Sequence, residues 1–173
     1  MTDRPERDTS ERTAPDRIVT DRIAKGTLDE RLVVRRSPEI EHERAVAIYD
    51  LVEENHFALT DGTPGPYHLL LAIEDNRLVF DVRDTEERPL HRIGLAMKPF
   101  SRVIKDYFTI CESYYDAIKT ASPSRIEAID MGRRGLHNEG SDLLRRRLEG
   151  KIEIDNDTAR RLFTLLCVLH IRG

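Results

Sequence analysis

The stretch YHLLLAIEDNRLVFDVRDTEERPLHRIGLAM, Tyr67–Met97, decides the fold. Tyr67 to Ile73 is a mostly apolar run, and Asp75-Asn76 reads as a tight turn. Leu78, Phe80 and Val82 then alternate with Val79, Asp81 and Arg83. After the charged loop Asp84–Pro89, the residues His91, Ile93, Leu95 and Met97 alternate again. A period of two with short connections predicts a three-stranded antiparallel meander.

Toward the N-terminus, DGTPGP (Asp61–Pro66) reads as a loop. Before it lies the clearest helix start. Ser37 suits the N-cap and Pro38 the first helical position. Glu39 and Glu41 complement the dipole of the first turn. Ile40, Arg44, Ala47, Ile48, Leu51, Val52 and Asn55 fall on one stripe at helical spacing, and the helix should end near His56. Asp16–Ala24 reads as a first strand, Lys25-Gly26-Thr27 as a turn, and Leu28–Arg36 as a strand or a short helical turn. Met1–Pro15 carries no Leu, Ile, Val or aromatic residue, so it reads as a disordered tail.

Toward the C-terminus the pattern is helical. Lys98-Pro99 marks a start, and Val103, Ile104, Tyr107, Phe108, Cys111, Tyr114, Tyr115 and Ile118 form a wide apolar face. Ser122-Pro123 opens a third helix, which then meets Gly132, Gly135 and Gly140. Each glycine costs about 1 kcal/mol in a helix interior relative to Ala. Either the helix breaks there, with Ser141 capping a new one, or the glycines admit a second backbone. Asp155 or Asn156 caps a last helix, Asp157–His170, which is apolar nearly all round and so should be central. The fold class is therefore α+β. A small antiparallel meander packs against an early helix and a C-terminal helical half, with residues 16–173 as one domain.

Composition narrows the function classes. The chain has 173 residues, with 28 Lys plus Arg against 32 Asp plus Glu. This balance argues against bulk nucleic-acid binding. No apolar run approaches the roughly 20 residues of a membrane span, and no apolar leader opens the sequence. Cys111 and Cys167 lie in apolar stretches with no zinc or disulfide spacing, which points to a reducing, cytoplasmic setting. Two Glu-x-x-His steps, Glu39–His42 and Glu53–His56, sit on one helix rather than on four, so no metal site is expected. No cofactor pattern is present.

The densest cluster of chemistry-bearing residues is IEAIDMGRRGLHNEGSD, Ile126–Asp142. A continuous helix would put Glu127, Asp130, Arg134, His137 and Ser141 on one face. His137 could then act as a general base, with Glu139 or Asp130 orienting it. A break at Gly132 would instead offer Arg133, Arg134 and Asn138 to a phosphate, a carboxylate or a partner protein. A third reading is structural: Asp130 pairs with Arg133 or Arg134, His137 hydrogen-bonds a carbonyl, and the glycines allow close packing. Arg145–Arg147 form the most basic stretch, but acidic residues interleave with them and no RNA-binding motif accompanies them. With no complete catalytic pattern, the expectation is a non-enzymatic interaction or regulatory protein. Its partner is expected to be another protein rather than nucleic acid or a membrane, and a homo-oligomer is compatible with this. The alternative is a small enzyme or anion-binding protein working through Gly132–Gly140.

Four segments carry a resemblance: RSPEIEHERAVAIYDLVEEN (Arg36–Asn55), KDYFTICESYYDAI (Lys105–Ile118), IEAIDMGRRGLHNEG (Ile126–Gly140) and DTARRLFTLLCVLHIRG (Asp157–Gly173). Together they resemble a small bacterial protein family, mostly alphaproteobacterial, catalogued as of unknown function. The resemblance implies a bacterial, cytoplasmic setting. It brings no catalytic role, substrate or cofactor.

Overall fold

A computed structural model describes residues 20–29 and 38–170. The expected tail Met1–Pro15, the first residues of the expected strand Asp16–Ala24, the expected N-cap Ser37 and most of Leu28–Arg36 lie outside the described residues. The meander forms as the alternation predicts. Strands β3 (Tyr67–Glu74), β4 (Arg77–Arg83) and β5 (Pro89–Ala96) pair antiparallel in sequence order. Asp75 and Asn76 both take positive φ, 51° and 59°, as a two-residue hairpin turn requires. Register sets Leu69 against Val82, Leu71 against Phe80, and Phe80 against Ile93, all buried on one face.

The sheet has a fourth strand that the sequence reading placed differently. Strand β1 (Ile23–Leu28) runs parallel to β3 and occupies the sheet edge. Lys25-Gly26-Thr27, expected as a turn, is therefore extended and paired with His68, Leu69 and Leu70. The reason is non-local: a parallel partner must come back through a crossover, so β3 rather than local turn propensity sets where β1 lies. Helix α1 (Pro38–Glu53) is part of that crossover. Just beyond it, Asn55 accepts from Ile23 N–H (2.7 Å) and donates to Ile23 C=O (2.9 Å), supplying the bonds a further strand would have made.

Two short strands, β2 (Phe57–Leu59) and β6 (Ile152–Ile154), pair antiparallel across the chain. Their inward residues Phe57, Leu59, Ile152 and Ile154 are all buried. Three-residue strands carry too little periodicity to be recognised alone.

The helical half comprises α2 (Lys98–Thr120), α3 (Pro123–Leu148) and α4 (Asn156–His170). Ser122 caps α3 by accepting from Arg125 N–H, and Asp155 caps α4 by accepting from Thr158 N–H at 2.8 Å. Helix α3 is continuous through all three glycines, so the expected alternative of a break is corrected. Ser141 sits mid-helix and its hydroxyl donates back to His137 C=O at 2.8 Å. Two glycines are contact points. A Cβ on Gly132 would lie 2.7 Å from Ile110 Cδ1, and one on Gly140 would overlap the Phe163 ring. Helix α4 is central, with nine buried residues from Thr158 to Leu169. It packs against both α1 and α3.

The Gly140 contact predicts a cost. Phe163 is fully buried, so its ring has nowhere to go. Gly140→Ala should lower unfolding stability by about 1–3 kcal/mol, the usual penalty for overpacking. A urea titration read by circular dichroism measures this, and an unchanged midpoint would show that the ring moves freely.

Candidate functional site

On α3, i, i+3 and i+4 spacing brings Asp130, Arg133 and Arg134 together. Arg133 donates to Asp130 Oδ1 through Nε (3.0 Å) and Nη2 (2.7 Å). Arg134 donates to Oδ2 through the same two atoms, at 2.9 and 2.6 Å. Arg133 is held twice more. Interaction with Tyr107 favours its charged form, and its guanidinium lies 5.3 Å from the Tyr114 ring centre. Bonds from Arg133, then Arg134, hold the Asp130 carboxyl below its usual range. Both guanidinium forks are thus turned on one internal carboxylate, and Arg133 is further anchored to α2.

His137 lies one turn on and is 9 % exposed. Its ring stands edge-on to Phe163 (5.2 Å between centres) and to Tyr107 (5.4 Å). Its partner is a hydroxyl and not the expected carbonyl: Nε2 is 2.8 Å from Thr164 Oγ1, and Nδ1 is buried without a partner among the described residues. Burial, reinforced by Arg160 and Arg133, pushes its pKa down to about 4. The ring is therefore neutral at neutral pH. A neutral imidazole has the right protonation state for a base, but a base must also reach its substrate. Glu139 and Asn138 are exposed on α3, and neither is hydrogen-bonded to His137. The sequence cluster is thus brought together in part. Asp130, Arg133 and Arg134 form one ion-pair group, while His137 belongs to an aromatic cluster with α2 and α4.

A cavity of about 730 Å³ opens between α2 and α4. Ile104, Phe108, Cys111, Tyr115, Cys167 and Val168 make its apolar wall, with Lys105, Glu112 and His170 among its polar groups. Thr164 lines it, but His137, behind Thr164, does not. Both cysteines lie in this wall, and neither is in a disulfide. Among the described residues, no group of three His, Cys, Asp or Glu could hold a metal ion. No described helix is long and apolar enough to cross a membrane.

A second polar cluster was not anticipated. On the outward face of the sheet, His68 Nδ1 lies 2.5 Å from Glu87 Oε1. Arg83 bonds Asp81 at 2.8 Å and Glu87 at 3.5 Å, and Lys25 lies 3.9 Å from Glu87. Glu87 has φ 65°, a left-handed conformation unusual outside glycine. The sequence signal was slight: His68 is an outward position of β3, and only the loop's fold returns Glu87 to it.

The family profile described as "Uncharacterised protein family (UPF0262)" matches residues 20–172. The chain belongs to this family. A UPF0262 protein of Paramagnetospirillum magneticum is 63% identical over 152 residues, covering 88% of this chain and 97% of its own. One from Rhodospirillum rubrum is 58% identical over 154 residues, with 89% and 95% covered. One from Rhizobium leguminosarum is 57% identical over 152 residues, with 88% and 96% covered. The bacterial, alphaproteobacterial resemblance read from the four segments is borne out. No solved structure matches the chain.

The buried histidine makes stability depend on pH in a defined direction. The folded value of about 4 lies below the ordinary 6.5. Stabilisation from neutral His137 is complete above the unfolded value and drains as pH falls toward 4. Its full size is about 3 kcal/mol, at 1.36 kcal/mol per pKa unit. Unfolding midpoints taken from neutral pH down to about pH 4.5 should fall in the native chain and fall less in His137→Phe. Equal falls in both would place the pH dependence elsewhere.

Proposed function

We propose that this protein acts without catalysis, as a cytoplasmic interaction protein whose working surface is the outward side of the α2–α3 hairpin. The observation that carries this reading is the hairpin's thin interior. Between Tyr107 and His137, Ala117 is the only buried residue. Across the same span Tyr115 is 60%, Ile118 51% and Met131 64% exposed. A pair of helices that cover little but each other leaves apolar side chains in water, and such surfaces mark interaction sites. Of the residues the sequence offers to a partner, Arg133, Arg134 and Asn138, and of the basic stretch Arg145–Arg147, the geometry leaves only some outward. Arg133 is anchored inward, and Arg145 is engaged with Ile154 C=O and Asn156. Arg134, Asn138, Glu139 and Arg147 stay outward.

The alternative, a small enzyme or anion-binding protein using Gly132–Gly140, finds less support. Its base would be His137, sealed between Tyr107 and Phe163. Its anion clamp would be Arg133 and Arg134, already closed on Asp130.

A photo-reactive amino acid installed singly at Tyr115, Ile118 and Met131 in the native host tests the reading. Irradiation should give discrete cross-linked products from these sites, and none from a control site on the far sheet face such as Arg92. Products absent from all three hairpin sites would overturn it.

A further inference from the structure

Helix α3 carries an exposed stripe that nothing in the described chain covers. Ser124, Glu127, Ala128, Met131, Arg134, Gly135 and Asn138 are all exposed. At 100° per residue they fall on one side of the helix. Gly132, Arg133 and His137, which meet Ile110, Tyr114 and Tyr107, lie on the side toward α2. The stripe therefore faces away from α2.

Two independent features say what fits on it. The first is Gly135. A glycine weakens a helix interior relative to alanine, and the other glycines inside α3 repay this through contacts with Ile110 and Phe163. A Cβ on Gly135 would meet nothing within 4 Å. No contact within the described chain requires a glycine there, whereas a second helix backbone in close approach would. The second feature is charge. Met131 sits at the middle of the stripe, with Glu127 one turn before it and Arg134 one turn after. If a second copy of α3 lies antiparallel across a two-fold axis at Met131, each residue before Met131 meets one an equal distance after it. Glu127 then falls opposite Gly135 of the second copy, one residue from its Arg134, and the same pair repeats on the other side. Ser124 falls beside Asn138. A stripe whose charges complement its own reverse is what an isologous contact requires. Arg134 uses Nε and Nη2 on Asp130, which leaves Nη1 to donate to a second carboxylate.

We propose that the Ser124–Asn138 stripe is a homodimer interface, α3 packing antiparallel on α3 of a second copy about Met131. This rests on the reading of the α2–α3 hairpin as the interaction surface and names one of its partners. The exposed methionine becomes the apolar centre, the two Glu127–Arg134 pairs flank it and set the register, and Gly135 permits the close approach.

The pairing has a test that a general stickiness would fail. By light scattering at micromolar concentration, the native chain should have twice the 20.0 kDa chain mass. Glu127→Arg leaves a stripe with only positive charge, and Arg134→Glu one with only negative charge. Each alone should weaken self-association by about tenfold or more, on the scale of one factor of ten per 1.4 kcal/mol. Mixing the two variants in equal amounts should restore the dimer, because both 127–134 pairs are then of opposite charge. Gly135→Leu should be monomeric with an unchanged helical circular dichroism signal, since a Cβ there points into open space, with nothing within 4 Å. A monomeric native chain, single variants that stay dimeric, or a mixture that does not recover would each overturn the proposal. A monomeric native chain whose hairpin still cross-links to a different protein would remove the self-pairing and leave the interaction reading standing.

Discussion

The contact on which the helical half depends is Phe163 on Gly140. The ring lies where a side chain on Gly140 would be, so Phe163 of α4 packs directly on the backbone of α3 at this point. Phe163 also meets Tyr107 at 6.1 Å and His137 at 5.2 Å, which draws α2 into the same cluster. One fully buried ring thus ties three helices. Close-packed interiors do not deform gradually, so this contact fixes the height of α3 against α4, and with it the position of every residue along α3.

The electrostatics of the candidate site follow from that packing. His137 is neutral because three helices exclude water from it, and two arginines discourage a further positive charge. Asp130 is ionised because two guanidinium groups are held against it. Inside the cluster, charge is either absent or paired. What α3 offers outward is a helix face of small, polar and single apolar residues, a composition suited to docking rather than to chemistry. The cavity between α2 and α4 is separate from this face, and it contains both thiols and Tyr115 rather than any member of the Asp130 group.

Much of the architecture was legible because its signals are local. The Tyr67–Met97 alternation placed the meander, Ser122-Pro123 placed the start of α3, and the all-round apolar run Leu162–Leu169 placed α4 at the centre. The misreadings share one cause. Lys25-Gly26-Thr27 has the composition of a turn, but its pairing with β3 overrides that preference. Phe57–Leu59 and Ile152–Ile154 are too short to announce a strand, and each is a strand only because the other is present. The three glycines suggested a break or a close approach, and only contacts with Ile110 and Phe163 decide between them.

The sequence by itself determined the α+β class, the order of the main elements and the family, because periodicity and caps are written in residues a few positions apart. It also determined which residue types in Ile126–Asp142 had chemistry to offer. Only the tertiary structure decided what that chemistry becomes. The same His-Arg-Asp set can be a base with an anion clamp or a sealed ion-pair cluster, according to whether water reaches it. That depends on Tyr107 and Phe163, about thirty positions away on either side, and on a contact at Gly140 that no local pattern encodes. Burial is a property of the packed chain, and burial here sets both the charge of His137 and the face that α3 leaves open.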